Sequence, residues 1–190
     1  MKHYIRTGYG DSRFYMTVDM SLRPFQGILQ GNGASPATWV VISAALIQML
    51  KNASNGGYFR EPIKNITHHI IGFAFVDDTD LITLDMTEPS TAEWEIFENL
   101  QASIDCWQGG LWVSGGAILP EKSFVYPIAF HFNDKGEWRY KSIEEVDFEF
   151  SVIDHNGVRQ PLPQKEATHS SCTLGVHLAP DGNNSEMVET

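Results

Sequence analysis

Hydrophobic positions along the chain follow two rhythms. From Ala37 to Leu50 apolar residues run almost without a break, through Trp39, Val40, Ile42, Leu46 and Met49. Ser35-Pro36 precede them as helix cap and first helical residue, and Asn55-Gly56-Gly57 follow as a stop. The pattern predicts a helix over 35–51 that is apolar nearly all round and therefore buried. A second helix is predicted over 91–108. Its stripe of Trp94, Phe97, Leu100, Ile104 and Trp107 recurs every three or four residues. Pro89-Ser90-Thr91 opens it and Gly109-Gly110 closes it. Glu93, Glu95 and Glu98 sit near its N-terminus, where the helix dipole favours acids.

The other rhythm is that of strands. Residues 70–76 and 79–84 read as two arms of a tight hairpin. Phe124–Phe132 and Glu137–Lys141 flank the loop Asn133-Asp134-Lys135-Gly136. Phe148–Ile153 and Val158–Leu162 flank Asp154-His155-Asn156-Gly157, a second hairpin signal. Ser171–Leu178 reads as one last short strand. Residues 1–25 read as irregular or short-strand structure around the turn cluster Gly8, Gly10, Asp11 and Ser12. A loop with three glycines spans 26–34, and residues 58–69 form a connector. The end from Asp181 reads as exposed and frayed. Helices and hairpins in succession, without internal repeats, predict an α+β fold.

Composition narrows the class. A chain of 190 residues that is 42% hydrophobic can bury a core, in one domain or a domain and a fraction. No apolar run is long enough to span a bilayer, so no membrane is expected. Met1 to Gly10 lacks a signal-peptide core, which points to an intracellular protein, nuclear or cytoplasmic. Cys106 and Cys172 are far apart and read as reduced thiols. The glycosylation patterns at Asn52 and Asn65 then read as accidental. The net charge of −11 is the wrong sign for a stand-alone nucleic-acid binder. An acidic catalytic centre remains compatible with it.

The candidate chemistry lies in Phe75-Val76-Asp77-Asp78. Two adjacent carboxylates at the tip of a hairpin repel each other unless a cation neutralises them. Mg²⁺ is typically held by one or two carboxylates together with substrate phosphates. Asp-Asp pairs are also common in plain exposed turns. Asp80 suggests a calcium loop as well. Counted from Asp77, however, the position that such a loop gives to glycine is Ile82, although Glu88 falls at the closing position. His68 and His69 offer a weaker alternative, a metal-dependent hydrolase. Neighbours in a strand point to opposite sides, so they would not readily share one ion.

Taken in order, these segments resemble a reverse transcriptase palm of the retrotransposon type that lacks long terminal repeats. Leu29-Gln30-Gly31-Asn32-Gly33-Ala34-Ser35-Pro36 resembles that family's second core motif. Phe73-Ala74-Phe75-Val76-Asp77-Asp78-Thr79-Asp80 resembles its third, the Asp-Asp box. Gly110-Leu111 through Lys122-Ser123 resembles the fourth, and Leu174-Gly175-Val176 the fifth. The resemblance covers about residues 22–180. It implies a partial palm over 1–120, an antiparallel sheet backed by two helices. A strand-rich extension toward an incomplete thumb would follow over 121–190. It further implies RNA-directed DNA synthesis with two Mg²⁺ (or Mn²⁺) ions, a template-primer of RNA or DNA, and deoxynucleoside triphosphates. Asp77 would be the main metal ligand and Asp78 its helper. Gln30, Gly31 and Phe75 would lie against nucleotide and template, and Lys122 near the triphosphate.

One departure counts against activity. The family's first motif supplies a further metal-binding Asp, several tens of residues before the Gln-Gly loop. Only 29 residues precede Gln30 here, and neither Asp11 nor Asp19 fits the role. Met1 is thus expected to fall inside a polymerase domain, leaving a fragment that is inactive alone. Self-association through an uncovered sheet is expected too. The alternative is a non-catalytic retroelement remnant or a protein-interaction module.

Overall fold

A computed structural model describes residues 2–9, 12–19, 35–53, 56–75, 78–84, 92–154, 156–173 and 176–183. The chain divides into two compact units, Met1–Ser35 and Pro36–Thr190. The described residues combine two α-helices with six antiparallel strand pairs, an α+β composition. The single sheet expected from the sequence is thus replaced, among the described residues, by separate two-stranded pairs.

The first unit is a hairpin. β1 (Lys2–Tyr9) pairs with β2 (Ser12–Asp19) over eight residues each, from Lys2↔Asp19 to Tyr9↔Ser12. This is more regular than the sequence suggested. Tyr, Ile, Thr, Phe and Val on both sides of the turn favour extended backbone over the breakers between them. The glycine-rich loop 26–34 lies outside the described residues.

In the second unit, α1 (Ser35–Asn52) begins at the expected Ser-Pro. It is not buried all round. Leu46 and Leu50 enter the core, while Val40, Val41 and Ile47 stay 63%, 70% and 40% exposed. Two hairpins follow: β3 (Gly57–Arg60) with β4 (Thr67–Ile70), and β5 (Gly72–Phe75) with β6 (Asp78–Leu81). A parallel bridge between Gly57 and Leu84 links them.

α2 (Glu93–Ser114) runs six residues past its predicted end. Gly109 and Gly110 lie inside it rather than stopping it. Gly110 packs closely on α1: a Cβ there would come within 2.5 Å of the ends of the Leu46 and Met49 side chains, which would have to shift. The actual stop is Gly115, in left-handed backbone at φ 87°. The N–H of Gly116 donates to Leu111 O and that of Gly115 to Trp112 O, the hydrogen-bond pattern of a Schellman end.

α2 is the wall shared by two cores. Trp107 packs with Leu46, Leu50 and Ile71 on one side. Phe97 and Ile104 pack with Phe150, Val152 and Leu162 on the other. Of the predicted stripe only Trp94 is exposed, at 55%. The strand-rich half contains β7 (Phe130–Phe132) with β8 (Trp138–Tyr140), and β9 (Ser151–Ile153) with β10 (Arg159–Pro161). The last predicted strand is two, β11 (Ser171–Thr173) and β12 (Val176–Leu178), which pair with each other.

Two glutamines dock α2 on the edge of β9. The amide of Gln101 donates to Ser151 O at 2.8 Å and accepts from Ser151 N at 2.9 Å. Gln108 does the same at Ile153, accepting from its N–H at 3.0 Å and donating to its carbonyl. Each side-chain amide replaces the backbone of a missing neighbour strand, which closes an edge that would otherwise be open.

Candidate metal-binding hairpin

The β5–β6 register pairs Gly72 with Leu81, Phe73 with Asp80, Ala74 with Thr79 and Phe75 with Asp78. Val76 and Asp77 connect the strands and lie outside the described residues. The predicted hairpin therefore exists, with Asp78 in the strand rather than at the tip. Gly72 fixes its close approach, because a Cβ there would collide with the backbone carbonyl of Asp80.

Strand alternation separates two faces. Thr79 and Leu81 turn inward, with Ala74, toward a small apolar crevice lined also by Ile47, Leu50 and Trp107. Asp78 and Asp80 share the other face, beside Phe73, and both are exposed. Among the described residues no Lys, Arg or His forms an ion pair with either carboxylate. Partial burial pushes the Asp80 carboxyl above its ordinary 3.8, and the negative charge of Asp78 adds to the rise. The site is thus a pair of like-charged oxygen donors, the kind of donor that hard dications prefer.

The sequence-predicted residues fare differently. Asp78 lies on this face, and Phe75 is its backbone partner, although the Phe75 side chain is outside what is described. Asp77, Gln30, Gly31 and Leu174-Gly175 also lie outside the described residues, as does Asp11. Lys122 is exposed in a single 3-10 turn, Pro120–Lys122, and forms no ion pair with Asp78 or Asp80. Asp80, which the sequence offered only as part of a calcium loop, lies on the same face as Asp78, since positions two apart in a strand share a face.

The calcium-loop alternative fails because Asp78–Leu81 is strand rather than a ligand-wrapping loop. The histidine alternative fails as well. His69 stacks on Tyr58 with ring centroids 4.5 Å apart, while His68 points to Glu61 at 3.9 Å. Among the described residues no three His, Cys, Asp or Glu side chains form a metal-holding group. Among them, too, no helix is long and apolar enough to cross a membrane.

Comparison with known proteins gives no match to a protein-family model, a curated protein or a solved structure.

Proposed function

We propose that the chain carries a reverse-transcriptase-type palm whose β5–β6 hairpin binds a divalent cation weakly. The observation that carries this reading is the register of that hairpin. Phe75 pairs with Asp78 and Phe73 with Asp80, which puts the two acids on one strand face. Hard oxygen donors, mutual repulsion and a raised Asp80 carboxyl all suit Mg²⁺ or Mn²⁺. When bound, such an ion would offset negative charge on a transferred phosphoryl group. The contribution of the chain's own residues is positional. Gly72 sets the strand spacing, Leu81 anchors the hairpin in the core, and the acids face outward.

A two-metal centre needs more ligands than one hairpin supplies, and the described residues add no third acid to it. The chain is therefore proposed to be inactive alone in template-directed DNA synthesis. The test is primer extension on an RNA template with Mg²⁺ and deoxynucleoside triphosphates. No extension is expected. Extension that disappears in Asp77→Ala would overturn the inactive reading while keeping the family. Cation binding is measured separately, by following the Asp77 and Asp78 resonances during Mn²⁺ and Mg²⁺ titrations with and without a nucleoside triphosphate. Unmoved resonances would remove the metal-site reading. The non-catalytic alternative, an interaction module, gains support from the −11 charge. Self-association through an uncovered sheet is proposed with it.

A further inference from the structure

The β7–β8 hairpin carries a feature that the polymerase reading does not use. Its register pairs Phe130 with Tyr140 and Phe132 with Trp138, so strand alternation brings all four rings to one face. Phe130, Trp138 and Tyr140 form a mutual cluster with centroids 5.4–5.5 Å apart. Yet Phe132, Trp138 and Phe130 remain 64%, 58% and 45% exposed. Scattered exposed apolar residues are ordinary, but a contiguous patch of rings marks an interaction surface.

The surrounding charge identifies the occupant. His131 and Arg139 alternate to the opposite face. Arg139 is held by both carboxylate oxygens of Glu145 at 2.6 Å. Lys141 is held by Glu93 at 2.5 Å. Two of the three lysines and arginines on this stretch are therefore paired. Asp134, Glu144, Asp147 and Glu149 are exposed and have no ion-pair partner among the described residues. Of the lysines and arginines on this stretch, Lys135 alone is unpaired in the same sense. The unpaired charge on this stretch is thus mostly negative. A nucleic-acid strand would bring phosphates to a stretch that offers them one unpaired cation. A second copy would bring the same acids and a charge of −11.

We infer that this face docks a cationic protein segment, with arginine side chains stacked on the rings and the unpaired acids of the same stretch holding the charge. Arginine suits the task because its flat guanidinium stacks on aromatic faces, best on tryptophan. The acids would also steer the segment during encounter. This surface is independent of the Asp78–Asp80 hairpin and stands if the metal reading fails.

The test uses the full chain and a fluorescent arginine–glycine repeat peptide, with binding read by anisotropy. Binding is expected to weaken as ionic strength rises. Trp138→Ala should weaken it about tenfold, the scale of a lost, partly desolvated cation–π contact. Phe132→Ser, at the most exposed ring, should weaken it severalfold. Trp94→Ala, an exposed tryptophan elsewhere, should leave it unchanged. Circular dichroism checks that each variant keeps its fold. Four results would overturn the inference: no binding of the peptide; equal binding by wild type and both ring variants; tighter binding of an oligothymidylate strand that Trp138→Ala abolishes; or a dimer in sedimentation that Trp138→Ala dissociates.

Discussion

The β5–β6 and β9–β10 hairpins both carry aspartate, and they use it in opposite ways. In β9–β10 the carboxylate belongs to the turn. Asp154 is buried, and its Oδ1 accepts from the N–H of Asn156 at 2.8 Å and of Val158 at 2.9 Å. Gln160 donates to its Oδ2 at 3.3 Å. Gly157, at φ 80°, supplies the left-handed residue that closes the loop. Asn133 and Gly136 repeat the device in β7–β8, with Asn133 Oδ1 accepting from Lys135 N and Glu137 N at 2.9 Å. In β5–β6, by contrast, Asp78 and Asp80 hold no described backbone donor and face each other's charge. An acid satisfied by its own loop is a structural part. An acid left facing another acid carries an unrelieved repulsion.

The largest expected effect tests the first half of that contrast. Asp154→Ala strands two N–H groups of a tight turn. It should cost about 2–3 kcal/mol in chemical denaturation. Asp78→Ala removes only repulsion and should stay within about 0.5 kcal/mol. A similar cost at both positions would erase the distinction. The second half is tested by cation linkage. With Mg²⁺ at about ten times its dissociation constant, wild type should gain about 1.4 kcal/mol. Asp78→Asn should lose that gain, and Asp154→Asn should keep it despite its lower starting stability.

How much of this was legible in the sequence depends on the range of the forces involved. Turn chemistry is local, so the loops at 133–136 and 154–157 and the hairpin between Phe75 and Asp78 were readable from residue type and spacing. The start of α1 at Ser35-Pro36 was readable for the same reason. What failed depends on neighbours distant in the chain. Gly109-Gly110 looks like a stop until Leu46 and Met49 of α1 are seen to pack against Gly110. The Gln101 and Gln108 clamps on β9 are invisible without the strand 45–50 residues away that they cap. The exposed side of α1 could not be inferred from an apolar run that fits a buried helix equally well. At the site, the adjacency of Asp77 and Asp78 is plain in the sequence, whereas the face shared by Asp78 and Asp80 follows only once the strand register is known.

Gly109 gives a smaller effect that separates the two accounts of α2. A Cβ at this position would meet nothing within 4 Å. If the helix runs through it, Gly109→Ala should stabilise the chain by up to about 1 kcal/mol, from helix propensity alone. If the helix stopped there, as the sequence pattern suggested, alanine would bring no gain. Thermal unfolding distinguishes these outcomes. Because α2 is the wall of both cores, the gain should appear in a probe of either one, Trp107 fluorescence or the near-ultraviolet signal of the Phe97 cluster.

The smallest expected effect is the pH dependence of the two acidic surroundings, and it differs in sign. Asp80 has a carboxyl raised above 3.8 by burial and by Asp78. The folded state therefore binds its proton more readily than the unfolded state. Its contribution is full below the unfolded value and is lost as pH rises through the folded one. Glu145, held by Arg139 and the Ser142 N–H, is lowered from 4.5 to about 2. Its contribution is present above 4.5 and is lost as pH falls toward about 2. Asp80→Asn should therefore gain on wild type as pH rises through the raised value. Glu145→Gln should approach wild type as pH falls. Stability measured across the acid range checks both. A carboxyl-carbon titration sharpens the first, since Mg²⁺ should draw the Asp80 value down while leaving Glu145 where it was. A value for Asp80 that ignores Mg²⁺ would reduce the β5–β6 acids to an unrelieved repulsion, and the hairpin would lose its claim to a cation.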